Sequence, residues 1–160
     1  MSDSGHTQHV DLLIVGWGKG GKTLAGVAAR KGLKVALVEQ SREMVGGGCI
    51  NIACVPTKIL IHNAEQRRDG DDPDAAFAQA VQRRDTLTGA MRKKNYSMLA
   101  ELEQEVLLVF GTAQFTGERT VRVSEGDDTL ELSGDTVVIN TGSTHPSTTE
   151  ELNEVLGALG

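Results

Sequence analysis

An α/β fold is predicted by three stretches near the start of this 160-residue chain. The first is Val10 to Val15, an apolar run rich in branched residues that reads as a buried parallel strand. The second is Gly16-Trp17-Gly18-Lys19-Gly20-Gly21, a G-x-G-x-x-G pattern leading into a helical stretch from Lys22 to Lys31 that Gly32 closes. The third is Leu33 to Val38, a second strand that ends on Glu39. In such a pattern the first glycine permits a tight turn, the second lets a pyrophosphate approach, and the third lets helix pack on strand. The helix start supplies N–H donors to the phosphates. Glu39 stands 23 residues after Gly16, where a carboxylate meets ribose hydroxyls. A structural glycine turn would produce the glycines alone. Strand, glycines, helix, strand and acid in this order predict a dinucleotide-binding domain of Rossmann type.

Composition excludes several alternatives. Hydrophobic content of 39% and charged content of 24% are ordinary for a globular domain. A net charge of -6 does not suit nucleic acid or an anionic membrane, and 3% aromatics leave no stacking platform for bases. Residues 1–9 are polar and read as a disordered N-terminus without the apolar core of a signal peptide. No apolar run approaches the ~18 residues a membrane span needs. The expected location is cytoplasmic.

The reactive stretch is Gly46-Gly47-Gly48-Cys49-Ile50-Asn51-Ile52-Ala53-Cys54-Val55-Pro56-Thr57-Lys58, which holds both cysteines of the chain. Pro56 is tolerated in a helix's first turn, and the helix is expected to run from Thr57 to Arg68. Both sulfurs would then lie at a helix start, where the macrodipole lowers a thiol pKa and favours disulfide exchange. Two close cysteines are also compatible with small buried hydrophobes or half a metal site. The four histidines are scattered, so a structural zinc site is not expected.

Further on, Asp69 to Asp74 reads as an exposed charged loop. Ala75 to Glu105 reads as mainly helical, with Gly89 and Asn95 to Ser97 as expected interruptions and Arg92-Lys93-Lys94 as a solvated face. Val106 to Phe110, Ala113 to Phe115, Thr120 to Val123, Leu130 to Leu132 and Thr136 to Asn140 are short strands, the later ones forming a β-meander. Ser147-x-x-Glu150 is a capping box for a short C-terminal helix.

Several of these stretches together resemble the class I pyridine nucleotide–disulfide oxidoreductases, the group of glutathione reductase, dihydrolipoamide dehydrogenase and mercuric reductase. The matching pieces are Gly16 to Gly21, Val35 to Gln40, Gly46 to Lys58, Gly111 to Phe115 and Val138 to Ser143. The wording around Glu39-Gln40-Ser41 and Cys49 to Lys58 is most similar to the bacterial branch containing hypothiocyanous-acid reductases. The resemblance implies an FAD-binding three-layer domain over 10–143. It implies FAD as the dinucleotide, held by Gly16, Gly18, Gly20, Gly21, Glu39, Gln40, Gly47, Gly48, Cys49, Lys58, Ala113, Thr141 and Gly142. It further implies a redox-active Cys49–Cys54 disulfide, with Cys54 facing the flavin, Cys49 attacking substrate and Lys58 near the flavin N5 edge. In the family NAD(P)H reduces the FAD, and electrons pass through the disulfide to a disulfide substrate or small oxidant.

Three departures stand out. Gly48 replaces the family's usual Thr, and Ala53 replaces a Gly whose lack of a side chain would leave room for the flavin. After Ser143 the chain resembles the family's extreme C-terminus, where a His-Pro motif supplies an acid–base histidine, oriented by a glutamate, to the other subunit of a homodimer. His145 and Glu150 hold those positions, and 144–160 reads as a remnant of the dimerisation segment. The expectation is therefore the first third of a reductase joined to its last residues, weakly active or inactive with NAD(P)H. A non-catalytic FAD- or ADP-binding remnant and a flavin-free dithiol protein stay open beside it.

Overall fold

The computed structural model describes residues 7–143. The expected C-terminal helix, His145 and Glu150 lie outside the described residues. The six strands are β1 (Gln8–Val15), β2 (Val35–Glu39), β3 (Val106–Phe110), β4 (Thr112–Gly117), β5 (Thr120–Glu125) and β6 (Asp128–Ile139). The helices are α1 (Lys19–Arg30), α2 (Gly48–Asn51), α3 (Cys54–Glu65) and α4 (Pro73–Ala100). Strands form one sheet in the order β3-β2-β1-β6-β5-β4, parallel from β3 to β6 and antiparallel from β6 to β4.

Each face of the parallel part is covered. Leu12, Ile14, Val35 and Leu37 meet Ala25, Ala28 and Ala29 of α1 and Leu99 of α4. On the opposite face, Leu13, Val15, Ala36 and Val38 meet Val121, Val123 and Leu132 of the meander. Buried on both faces, Leu12 to Val15 of β1 and Val35 to Val38 of β2 are continuous apolar runs, as that position requires. The α/β expectation holds, with helices, parallel sheet and meander as three layers.

Several boundaries differ from those expected. β1 starts at Gln8 rather than Val10. His9 pairs with Ser133 in the ladder and through Nδ1 to Oγ at 3.0 Å, so the irregular N-terminal stretch ends earlier. α1 begins at Lys19, with Gly18 at its N-cap, and Gly32 closes it at φ +83° as foreseen. α4 runs 28 residues without a break. Neither Gly89 nor Asn95 interrupts it, because the Asn95 Nδ2 donates to Met91 O one turn back at 2.7 Å while its Oδ1 accepts from Lys22 on α1. Asp72 caps that helix by accepting from the Asp74 and Ala75 amides, ahead of Pro73 in the first turn.

The two strands expected around residues 130–140 are one. β6 pairs antiparallel with β5 from Asp128 to Ser133 and parallel with β1 from Leu132 to Ile139. Gly134 looks like a breaker in the sequence, but it serves a close approach. A Cβ there would lie 2.8 Å from Leu13 Cβ and 3.0 Å from Thr136 O.

Candidate cofactor cleft and dithiol turn

The carboxyl ends of β1, β2 and β6 open onto a cleft of about 280 Å³, the place where parallel α/β sheets bind ligands. Gly16, Gly18, Glu39, Gln40, Gly47, Gly48, Ala113, Thr141 and Gly142 line it, together with Asn140. Gly20 and Gly21 stand behind the loop in the first turn of α1. That turn has no side-chain cap and no acidic residue. Its free N–H groups are donors for an anion. A cradle of glycines, an uncapped helix start and an acid opposite fit the ADP part of a dinucleotide.

Glu39 is buried at the end of β2 and is held rather than free. Its Oε2 accepts from the Trp17 amide at 2.8 Å and its Oε1 from the Ser41 amide at 3.2 Å. Both oxygens thereby keep a fixed direction while each retains a lone pair for a further donor. Trp17, between the two glycines, turns its ring inward and is fully buried. It stacks on Phe110 at 5.9 Å and Tyr96 at 6.0 Å between centroids, and the Arg42 guanidinium lies 4.1 Å above Phe110. Its Nε1 has no partner among the described residues.

The cysteines sit on two helices, not one. Gly46 and Gly47, at φ +92° and +80°, turn the chain into α2, whose second residue is Cys49. Cys54 begins α3 after a break at Ile52 and Ala53. Both are exposed free thiols. Ala53, the departure expected to crowd a ligand, is solvent-exposed with a negative φ of −111°, so it does not occupy the left-handed region that favours glycine. Gly48 has open space at its Cβ position.

Asn51 braces this turn from within, its Nδ2 donating to Gly47 O at 2.9 Å and Val45 O at 3.1 Å. The Arg92 guanidinium of α4 donates to Asn51 Oδ1 at 3.0 Å. Arg92 is therefore not part of a purely solvated face. The sequence offers no local sign of this contact, because the two residues are 41 positions apart.

The macrodipole argument for a lowered thiol pKa does not hold at Cys49. The Cys49 thiol is pushed up, first by its hydrogen bond with Cys54, then by desolvation and the Cys54 charge. Lys19 and Lys58 pull the other way. A four-residue helix has little dipole, and a neighbouring thiol shares its proton, so the pair prefers to keep it. Cys49 is thus mostly thiol at neutral pH, and its alkylation by iodoacetamide should rise only above the ordinary thiol range. Cys54→Ala removes the leading cause, leaves the two lysines in place and should move the profile to lower pH. An unmoved profile would contradict that account.

A nucleotide-type cleft with a dithiol turn against its wall defines a class, that of Rossmann-type redox domains. The chain belongs to the pyridine nucleotide-disulphide oxidoreductase family, whose model matches residues 10–157. It is 41% identical over 131 residues to the probable pyridine nucleotide-disulfide oxidoreductase RclA of Escherichia coli (strain K12), covering 82% of this chain and 28% of that protein. It is 34% identical to the mercuric reductase of Shewanella putrefaciens, covering 89% and 27% respectively. The structure of a Cu(II) complex of the HOCl-induced flavoprotein disulfide reductase RclA from Escherichia coli superposes with a TM-score of 0.78 at 38% identity, over 88% of this chain and 31% of that one. The chain thus spans under a third of these relatives. The family is flavin-dependent and uses FAD and NAD(P)H. Among the described residues, no helix is long and apolar enough to cross a membrane.

Proposed function

We propose that this chain holds the ADP part of FAD between the Gly16–Gly21 loop and Glu39, and presents Cys49 and Cys54 beside it as a dithiol–disulfide pair. One observation carries this reading. Gly47, two residues before Cys49, packs so tightly on the loop that a Cβ would lie 2.7 Å from Gly18 Cα. The dithiol turn and the phosphate-type loop therefore share a wall.

The residues have distinct duties. The uncapped first turn of α1 binds the pyrophosphate, and Glu39, already aimed by two amides, accepts from ribose hydroxyls. Gln40, Gly48, Ala113, Thr141 and Gly142 shape the rest of the cleft wall. Cys49 is the attacking thiol, supported by the charges of Lys19 and Lys58, and Cys54 resolves it, the pair giving up two electrons and two protons as it closes. His145 and Glu150, by resemblance alone, supply acid–base help. When bound, FAD supplies the hydride-accepting chemistry that the dithiol lacks. Delivery of electrons from NAD(P)H to a disulfide or small oxidant, the homodimer and a cytoplasmic location are proposed for the whole protein of this family type.

The test is a spectrum of the purified protein. Flavin absorbance is expected, and Gly18→Val should weaken FAD binding at least about tenfold by filling the loop. Unchanged retention in that variant would overturn the assignment of the loop. A flavin-free dithiol is a second reading, favoured by the exposure of both sulfurs. Colourless protein that cannot take up FAD, yet loses two hydrogens reversibly on oxidation, would select it.

A further inference from the structure

We propose that Asn140 is the residue around which the phosphate loop is built, pinning it from below and offering a donor to the bound anion. The proposal rests on reading Gly16–Gly21 as a pyrophosphate loop. Asn140 follows the last residue of β6, and its backbone N–H donates to Val15 O at 2.7 Å. Its Nδ2 donates to Gly16 O at 3.0 Å. Gly16, whose own N–H donates to Val38 O at 2.8 Å, is thereby fixed from two strands.

All four glycines of the loop lie against this residue, and at Gly21 the Gly16 carbonyl at 2.8 Å and Ile14 Cγ2 at 2.9 Å would crowd a Cβ as well. A Cβ on Gly21 would lie 2.7 Å from Asn140 Nδ2, and one on Gly18 would lie 2.8 Å from it. On Gly20 it would lie 3.2 Å from Oδ1, and on Gly16 it would strike the Asn140 carbonyl. The case of Gly18 is the most telling. Its φ of −68° and ψ of 170° are open to any residue, so backbone conformation does not require glycine there. The nearest atom that excludes a side chain is the Asn140 amide. That amide has two hydrogens, only one of which has an acceptor among the described residues, and Asn140 lines the cleft. The second hydrogen is a donor for a phosphate oxygen.

Two experiments decide this. In the first, ADP and adenosine binding are measured by calorimetry on the parent and on Asn140→Asp, which keeps the shape, loses the donor and adds negative charge. ADP should weaken at least tenfold and adenosine less than twofold. Equal loss of both, or loss of neither, overturns the donor role. In the second, Gly18→Ala is made in the parent and in Asn140→Ala, and melting temperatures are compared. The substitution should lower the melting temperature by several degrees in the parent and by less than one degree once the amide is gone. Additive effects overturn the packing role. A parent that binds FAD but not through this loop, with ADP failing to compete, would sink the reading of the loop and the donor role with it. The thermal cycle would still decide the packing role.

Discussion

Trp17→Ala should lower the stability of the domain by roughly 3–5 kcal/mol, the range for removing a buried aromatic from a close-packed core. The ring is fully buried and packs in a three-ring cluster with Tyr96 of α4 and Phe110 of β3, whose own centroids are 6.4 Å apart. It therefore ties the helix layer to the sheet edge beneath the nucleotide loop. Deleting it leaves a cavity walled by side chains of α4 and β3, which close-packed surroundings fill only in part. Trp17→Phe should cost much less, because the new ring keeps most of the stacking and removes an indole N–H that has no partner among the described residues. Urea unfolding followed by circular dichroism reads both, since the parent's only tryptophan is the one removed. A Trp17→Ala variant within 1 kcal/mol (about) of the parent would contradict the packing described above. The Trp17 amide that orients Glu39 is untouched by either change, so any loss of nucleotide binding measures loop position rather than a missing donor.

Gly47→Ala is expected to damage both halves of the site together. Its φ of +80° costs an L side chain about 1–2 kcal/mol, and its Cβ would fall 2.7 Å from backbone of the opposite loop, which has no flexible end to move aside. Either the dithiol turn or the phosphate loop must shift. FAD affinity should fall at least about tenfold, a loss of 1.4 kcal/mol or more. The iodoacetamide reactivity of Cys49 should change in the same variant. Gly89→Ala in α4 is the control: it lies outside the cleft and its Cβ would meet nothing closer than 3.9 Å, so both readouts should stay at parent values. Binding lost without any change at Cys49 would mean that the two loops are independent.

The part of this site that is local in sequence was legible, and the part made by distant contacts was not. Val10 to Glu39 carries its own pattern of apolar runs, glycines and a terminal acid, and the strand–loop–helix–strand unit follows it. A glycine between two apolar runs, like Gly134, and an asparagine in a helical stretch, like Asn95, ordinarily read as breakers. Here each is tolerated for a partner elsewhere, Leu13 in one case and Lys22 in the other. Asn140 could be quoted as part of a motif without any sign that the glycines 120-odd positions earlier leave space for it. The cysteine spacing pointed to a redox pair, but the direction of the Cys49 pKa depends on two thiols being neighbours in space. Periodicity reports which face is buried, not what lies against it.

The seating of β1 between β2 and β6 sets a condition on biosynthesis. Its ladder partner on one side is the last strand of the described chain, and the contact joins residues 124 positions apart. At translation rates of roughly 5–20 residues per second, the first strand leaves the ribosome roughly 6–25 seconds before that partner exists. During this interval one edge of an apolar strand has no mate, the kind of edge that other chains can capture. Every other pairing in the sheet joins strands consecutive in the chain, so the β1–β6 contact that links the two halves is the one that must wait for the last of them. A nascent chain stopped short of residue 128 would lack β6 altogether and expose the centre of its own sheet.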